Sequence, residues 1–184
     1  STTHTPVPAG IDYNLWLGPA PERPFNTNRF FYNWHWFWDY GNGDLGNQGV
    51  HQLDLIRWAL EYTTLPKKVL SVGGRFGYKD DGETANSQIV VYDYGDKPQI
   101  IFEVRGLPTN PYKEVKVGVI VHCSDGLLTL SRSEATAYTK GGEVIQKFTG
   151  TGDHFQNFVD AVRSGKSTDL AADIEEGHLS SALC

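Results

Sequence analysis

The sequence of 184 residues has few of the features that mark special classes of protein. Its two cysteines, Cys123 and Cys184, are too few and too unpatterned for a disulfide framework or a zinc site. No apolar run reaches the ~18 residues that a membrane span needs, so we expect no membrane partner. There is also no basic block, since 16 Lys and Arg stand against 22 Asp and Glu, and this disfavours nucleic acid as a partner.

What the chain does have is a dense aromatic stretch between residues 29 and 62. This stretch holds four of the five tryptophans, two of the six histidines and four of the 20 glycines. Its second half predicts a helix over residues 49–62, because apolar residues recur there at helical spacing. We expect Leu53, Ile56 and Leu60 to lie under a sheet. The opposite face would carry His51, Asp54, Leu55, Trp58 and Tyr62.

Asn47 and His51 form the strongest candidate for chemistry. Asn47 stands where an N-cap residue would, four residues before His51, so both side chains would share one side of a helical first turn. An imidazole can take or give a proton near neutral pH. The Asn47 amide cannot, so we expect it to orient the substrate or His51 by hydrogen bonds. A purely structural helix-face histidine is the alternative.

The first half of the stretch mixes polar groups with tryptophans, as ligand sites often do. Trp34, Trp36 or Trp38 would offer a stacking face to a sugar, and aromatic core packing is the alternative. The expected hydrogen-bonding residues are Asn33, His35, Asp39, Tyr40 and Asp44. A metal site at His35, Asp39 and His51 is a further alternative, for which the sequence has no ligand repeat.

Residues 41–46 spell G-x-G-x-x-G, the pattern of dinucleotide-binding loops. That fingerprint needs a buried strand before it and a βαβ unit around it. Here the preceding residues are Trp-Phe-Trp-Asp-Tyr, and the segments that follow the helix resemble antiparallel strands. We therefore interpret the match as coincidental and expect no cofactor-binding residue in this chain.

The rest of the chain predicts an α+β fold. Short strands joined by hairpin turns favour antiparallel pairing, so we expect a large open, mostly antiparallel sheet with helices packed on one face. The other sheet face carries Val, Ile and Tyr and is a candidate oligomer contact. The predicted strands are 68–78, 88–94, 99–106, 115–123, 127–131, 135–139 and 144–148, and the further helices are 13–17, 153–164 and 171–184.

Three local expectations accompany this prediction. Helix 153–164 would be capped by Thr151 or Asp153, closed by Gly165, and buried through an apolar face. The acidic turn 80–83 and the acidic face of the last helix would be solvated. The apolar residues expected inward on helix 153–164 are Phe155, Phe158, Val159 and Val162, and the polar residues expected on the wet face of the last helix are Asp173, Glu175, Glu176 and His178.

The segment GDLGNQGVHQLDLIRW, residues 43–58, resembles the second-domain motif of the glucose-fructose oxidoreductase / inositol dehydrogenase family. The resemblance extends from Tyr13 to Arg163 and includes the run NWHWFWDY at residues 33–40. It places His51 on the family's catalytic histidine, Asp54 on its downstream aspartate and Gly49 on its glycine. Asn47 departs from the pattern, because many members carry Asp there.

The resemblance implies a substrate-binding and oligomerisation domain over residues 13–184, preceded by a linker or tail at 1–12. The last helical pattern stops without a Gly, Asn or Pro, which leads us to expect a longer protein with an N-terminal dinucleotide-binding domain. NAD or NADP would bind mainly there, and the isolated chain would be inactive. The substrate would be a sugar, cyclitol or glycoside. NAD-dependent glycoside cleavage and a non-catalytic carbohydrate-binding or scaffold role are the alternatives.

Overall fold

A computed structural model describes residues 4–150 and 152–184. The chain divides into two compact units. The first holds the described residues up to Val50, together with Pro66–Pro108 and Cys184, and the second holds His51–Leu65 and Thr109–Leu183. Among the described helices, none is long and apolar enough to cross a membrane.

The first unit contains a three-stranded antiparallel sheet preceded by short helices. Asp12 caps the first helix by accepting a hydrogen bond from the Leu15 backbone N–H at 2.9 Å. The strands lie in the order β1-β2-β3. The elements are α1 (Tyr13–Leu17), a 3-10 helix (Asn33–Trp36), α2 (Gly43–Asn47), β1 (Lys68–Gly74), β2 (Ser87–Asp93) and β3 (Ile100–Arg105).

The two faces of this sheet differ in exposure. One face packs into the unit through buried Val90, Tyr92, Ile100 and Val104. Residues paired across antiparallel strands share a face, so the register places a second set of apolar side chains on the other side. We call that side the outer sheet face; it is formed by Leu70, Val72, Ile89, Val91 and Ile101.

The second unit contains a four-stranded antiparallel sheet in the order β4-β5-β6-β7 and most of three helices. Leu53 and Ile56 are buried, as the apolar spacing predicted. The boundary between the units falls inside α3, after Val50. The elements are α3 (Gly49–Ala59), β4 (Val119–His122), β5 (Gly126–Leu130), β6 (Glu134–Thr139), β7 (Val144–Thr149), α4 (His154–Ser164), a 3-10 helix (Ser167–Asp169) and α5 (Ile174–Ala182).

The predicted α+β class with open, antiparallel strands is confirmed, although the strands form two sheets of three and four strands. Three strands are shorter than predicted, and the difference is largest for β1 and β4. β1 ends at Gly74, and β4 begins at Val119 although alternation starts at Val115. Lys113 and Glu114 have positive φ angles of 47° and 64°, so a turn occupies the approach to β4. Alternating apolar and polar residues from Val115 onward predicted a strand, but a strand also requires a neighbouring strand to pair with.

Helix α4 has the predicted caps but not the predicted burial. Asp153 accepts from the Gln156 backbone N–H, and Gly165 closes the helix at φ 68°; Thr151 lies outside the described residues. The prediction that Phe155, Phe158, Val159 and Val162 point inward was wrong, because all four are exposed. The spacing identified residues that share a face, but the described residues leave that face uncovered.

Candidate functional site

An aromatic cleft of about 580 Å³ lies in the first unit. Trp16 on α1, Trp34 on the 3-10 helix, and Asp39 and Tyr40 in the turn that follows contribute its side chains. Leu17 and the turn residues 19–21 complete the lining. The cleft brings together three residues that the sequence predicted for substrate binding, Trp34, Asp39 and Tyr40.

One wall of the cleft is held by ring packing. The Trp16 ring centroid lies 5.6 Å from Tyr13, 5.2 Å from Phe30 and 5.3 Å from Tyr40. Burial raises the pKa of the Tyr40 hydroxyl, and the neighbouring Tyr13 raises it further. The hydroxyl therefore remains protonated at neutral pH. This wall is an apolar surface held by ring contacts, and the Tyr40 hydroxyl oxygen is itself buried.

Asp39 is the charged group of the cleft lining, and Arg23 holds it in place. The Arg23 Nη1 donates to Asp39 Oδ2 at 2.6 Å, and Arg23 Nη2 lies 3.4 Å from Glu83 Oε1. Burial opposes the charge on Arg23, but Glu83 and Asp39 together raise the pKa of its guanidinium. The carboxylate is thereby oriented before any ligand binds.

The sequence led us to expect that the acidic turn at 80–83 is merely solvated, but it anchors residues 28–40, which we call the aromatic loop. Glu83 Oε2 accepts from the Trp38 backbone N–H at 3.1 Å, and the Glu83 backbone N–H donates to the Trp36 carbonyl at 2.9 Å. Asp81 accepts from the Asn28 side chain at 2.7 Å. Asp80 pairs with Arg75, which lowers the pKa of the Asp80 carboxyl.

Other residues expected to contact a sugar lie outside the cleft lining. His35 is 3% exposed and packs against Trp36 with ring centroids 4.0 Å apart. Its Nε2 has no hydrogen-bond partner among the described residues. Asp44 accepts from the Trp36 indole at 3.3 Å, and Asn33 is exposed at the start of the 3-10 helix. None of these three side chains is among the described residues that line the cleft.

The glycine pattern at 41–46 serves close packing. It follows a 3-10 helix and a turn, and it opens a helix of only five residues, so the strand that a dinucleotide fingerprint requires is replaced by other structure. Gly43 has φ 74°, and a Cβ there would lie 2.6 Å from the Thr84 hydroxyl oxygen. This position requires glycine for both its backbone angle and its packing.

Replacing Gly43 by alanine is therefore expected to lower the free energy of unfolding by about 1–3 kcal/mol. Chemical denaturation followed by tryptophan fluorescence measures the change. Gly177→Ala is the matched control, because Gly177 lies in α5 and an added Cβ would meet nothing within 4 Å. That control should leave stability unchanged or raise it, and equal losses in both variants would contradict the packing argument.

Asn47 and His51 are both exposed, while their neighbours Leu45, Gly49 and Leu53 are buried. Asn47 is the last residue of α2, so the prediction that it caps α3 was wrong. The chain turns at Gln48 and starts α3 at Gly49, where a Cβ would lie 2.7 Å from the Phe102 ring. The close approach of Phe102 explains glycine at this position.

A buried arginine anchors α3 within the second unit. Arg57 is 1% exposed, and its Nη1 donates to the Ser180 hydroxyl oxygen at 2.7 Å and to the Glu176 carbonyl at 3.3 Å. Its Nη2 lies 3.1 Å from Glu176 Oε2, so Glu176 is not simply on a wet face. Ser180 in turn donates to Asp54 Oδ1 at 2.7 Å. Asp54, a predicted substrate contact, is thus part of a structural network.

The described residues include no group of three or more His, Cys, Asp and Glu side chains that is able to hold a metal ion. The sequence reasoning also missed several residues that organise the site. Trp16 precedes a Gly-Pro-Ala-Pro turn, and this turn was the sequence signal that could have identified it as a site residue. Arg23, Glu83 and Arg57 gave no signal, because charged residues are usually exposed and their partners are 16 to 123 positions away.

A sequence model described as "Oxidoreductase family, C-terminal alpha/beta domain" matches residues 1–184. No curated protein matches the chain. Among solved structures, an oxidoreductase from Thermotoga maritima matches with 14% identity and a TM-score of 0.57, over 88% of this chain and 46% of that one.

Two further solved structures carry ligands in their descriptions. The WlbA dehydrogenase from Bordetella pertussis, in complex with NADH and UDP-GlcNAcA, has 15% identity and a TM-score of 0.50, over 82% of this chain and 43% of that one. An oxidoreductase from Agrobacterium radiobacter, with NAD+, L-tartaric acid and magnesium, has 12% identity and a TM-score of 0.51, over 74% and 43%. At these identities the likeness shows the fold. The chain spans less than half the length of these proteins.

Proposed function

Because the chain belongs to the glucose-fructose oxidoreductase / inositol dehydrogenase family, as a C-terminal α/β domain, we propose that it is the substrate-binding domain of an NAD(P)-dependent oxidoreductase. The substrate is a sugar, cyclitol or glycoside with a hydroxyl to be oxidised. Residues 13–184 form this domain, residues 1–12 are a linker, and another domain of the full-length protein binds the dinucleotide. The observation that carries the proposal is the exposure of His51 among buried neighbours in the motif shared with the family.

His51 is the proposed base for the substrate hydroxyl. Oxidation of a secondary alcohol requires removal of the hydroxyl proton while a hydride leaves carbon, and the bound nicotinamide supplies the hydride acceptor. An exposed imidazole on the first turn of α3 is accessible to a substrate and to solvent, which a proton shuttle requires. Asn47 contributes hydrogen bonds that orient the substrate, since an amide does not take up the proton.

NAD or NADP is the proposed cofactor, because the family consists of oxidoreductases and two of the solved proteins of this fold are described with NADH or NAD+. The chain itself lacks the strand context of a dinucleotide fingerprint at residues 41–46. We therefore expect the isolated chain to bind no nicotinamide dinucleotide and to be inactive. Measurable binding of NADH by the chain alone would contradict this assignment.

The proposal is tested on the full-length protein. The protein is purified, examined for bound dinucleotide, and assayed for the absorbance of reduced cofactor with a panel of sugars, cyclitols and glycosides. Substrate-dependent reduction of NAD+ or NADP+ supports the proposal. Release of aglycone without net change in reduced cofactor would instead support oxidation–elimination cleavage of glycosides. Sugar binding without bound cofactor and without turnover would instead support the non-catalytic carbohydrate-binding or scaffold role.

The outer sheet face is the proposed contact between copies of the chain. Its residues Leu70, Val72, Ile89 and Ile101 are exposed, and an apolar patch of this kind usually requires a cover. We expect Val72→Lys to shift the protein to a smaller species in sedimentation velocity. Leu65→Lys changes an exposed apolar residue outside the sheet and should leave the species unchanged. A monomeric wild-type protein would contradict this contact.

A further inference from the structure

We propose that the aromatic cleft binds a neutral sugar ring, with one ring face on Trp34 and its hydroxyls on Asp39. This inference rests on the proposed function, and it specifies the substrate class further than the family does. It also assigns a role to Trp16 and to the turn at 19–21, which the sequence reasoning did not single out. The cleft has three features that suit such a ligand: an exposed indole, a fixed carboxylate and the charge of its lining.

Trp34 is the stacking surface that the structure selects from the candidate tryptophans. It lines the cleft and is 40% exposed, so part of its indole face is open to a ligand. Trp38 is 62% exposed and is not among the described residues that line the cleft. Trp16 and Tyr40 form a wall fixed by ring contacts. A fixed wall beside an open indole suits a flat apolar ring face.

Asp39 supplies the polar half of the site. A carboxylate has about four lone-pair positions, and the Arg23 bond to Oδ2 occupies one of them. The remaining positions accept hydrogen bonds from the adjacent hydroxyls of a sugar. Because Arg23 and Glu83 fix the carboxylate in advance, the side chain loses little conformational freedom when the ligand binds. Charge-assisted bonds to a carboxylate are stronger than bonds between neutral groups.

The charge of the lining selects against acidic sugars. Asp39 is the one charged group among the described residues that line the cleft, and it is an anion. The nearby Arg23 is already paired with Asp39 and Glu83. A uronate or phosphate would therefore meet a carboxylate, and none of the described residues that line the cleft offers a cation to balance it. A neutral ring with several hydroxyls meets no such repulsion.

The test measures binding to the full-length protein, without added cofactor, by titration calorimetry. The probes are the methyl glycosides of glucose and galactose and the matching methyl glycosides of glucuronate and galacturonate. We expect at least one neutral glycoside to bind, and its uronate to bind at least about tenfold more weakly. Trp34→Ala should weaken neutral binding about tenfold or more, because truncation of an aromatic anchor in a binding site typically costs that much affinity.

Three further variants make the result specific. Trp34→Phe keeps a ring and should retain most of the affinity, which separates stacking from misfolding. Trp38→Ala should bind as wild type does. Asp39→Asn should weaken the neutral glycoside and reduce the discrimination against the uronate. Absence of neutral binding, equal affinity for the uronate, or unchanged affinity in Trp34→Ala would overturn the cleft assignment.

The outcome is distinguishable from a failure of the proposed function. If His51→Ala abolishes turnover while Trp34→Ala binds glycosides as wild type does, the cleft assignment fails and the oxidoreductase proposal stands. If the cleft variants lose binding but no substrate reduces the cofactor, the cleft assignment stands and the oxidoreductase proposal fails.

Discussion

Replacing His51 by alanine in the full-length protein is expected to lower kcat by about 10²- to 10⁴-fold, the usual contribution of a positioned general base. KM should change much less, because the imidazole is proposed to act on the proton in the transition state rather than to hold the substrate. The measurement is the initial rate of cofactor reduction at saturating substrate. The substitution affects proton transfer and not the stability of the fold.

His178→Ala provides a matched control for this experiment. His178 is also an exposed helical histidine, but it lies on α5 outside the motif, so its loss should leave kcat unchanged. Since His51 is exposed, its replacement should also leave the unfolding transition unchanged. A kcat of His51→Ala within about threefold of wild type would remove the proposed base, and a catalytic role would then have to belong to another residue.

Replacing Arg57 by alanine is expected to lower the free energy of unfolding by about 2–5 kcal/mol. The change empties the space of a side chain that is 1% exposed. It also removes the donor to the buried Ser180 hydroxyl oxygen and two donors to Glu176, whose side chain is 47% exposed. Chemical denaturation of the chain, with circular dichroism as the signal, measures the loss.

Two controls separate the causes of this loss. Arg57→Met keeps most of the volume, so it should cost less than alanine and show how much of the effect is packing. Arg163→Ala removes an exposed arginine on α4 whose Nη1 lies 3.6 Å from Asp160, and it should change stability by less than about 1 kcal/mol. Equal stability of Arg57→Ala and Arg163→Ala would show that the buried network contributes nothing.

Local features of the fold followed from the sequence. Asp12 and Asp153 cap helices where the pattern of residues predicted helix starts, and Gly165 closes α4. The turn at 95–98 joins β2 and β3 as the hairpin pattern predicted. These features depend on interactions between residues a few positions apart, which the sequence displays directly. The same holds for the motif that identifies the family.

Burial and pairing over long distances were decided by the tertiary structure. The spacing of Phe155, Phe158, Val159 and Val162 gave a shared face but not its exposure. The acidic turn at 80–83 gave no sign that it would anchor the aromatic loop through Glu83.

For the candidate site, the sequence by itself determined the family, the motif histidine and the set of aromatic and polar residues from which the proposed sugar site is drawn. The tertiary structure decided which members of that set meet. It placed Trp34, Asp39 and Tyr40 in one cleft with Trp16, left Trp38 outside its lining, and buried His35. The physical reason is that a cleft is made by residues from separate segments, here 16–21 and 34–40, whose approach depends on packing rather than on local spacing.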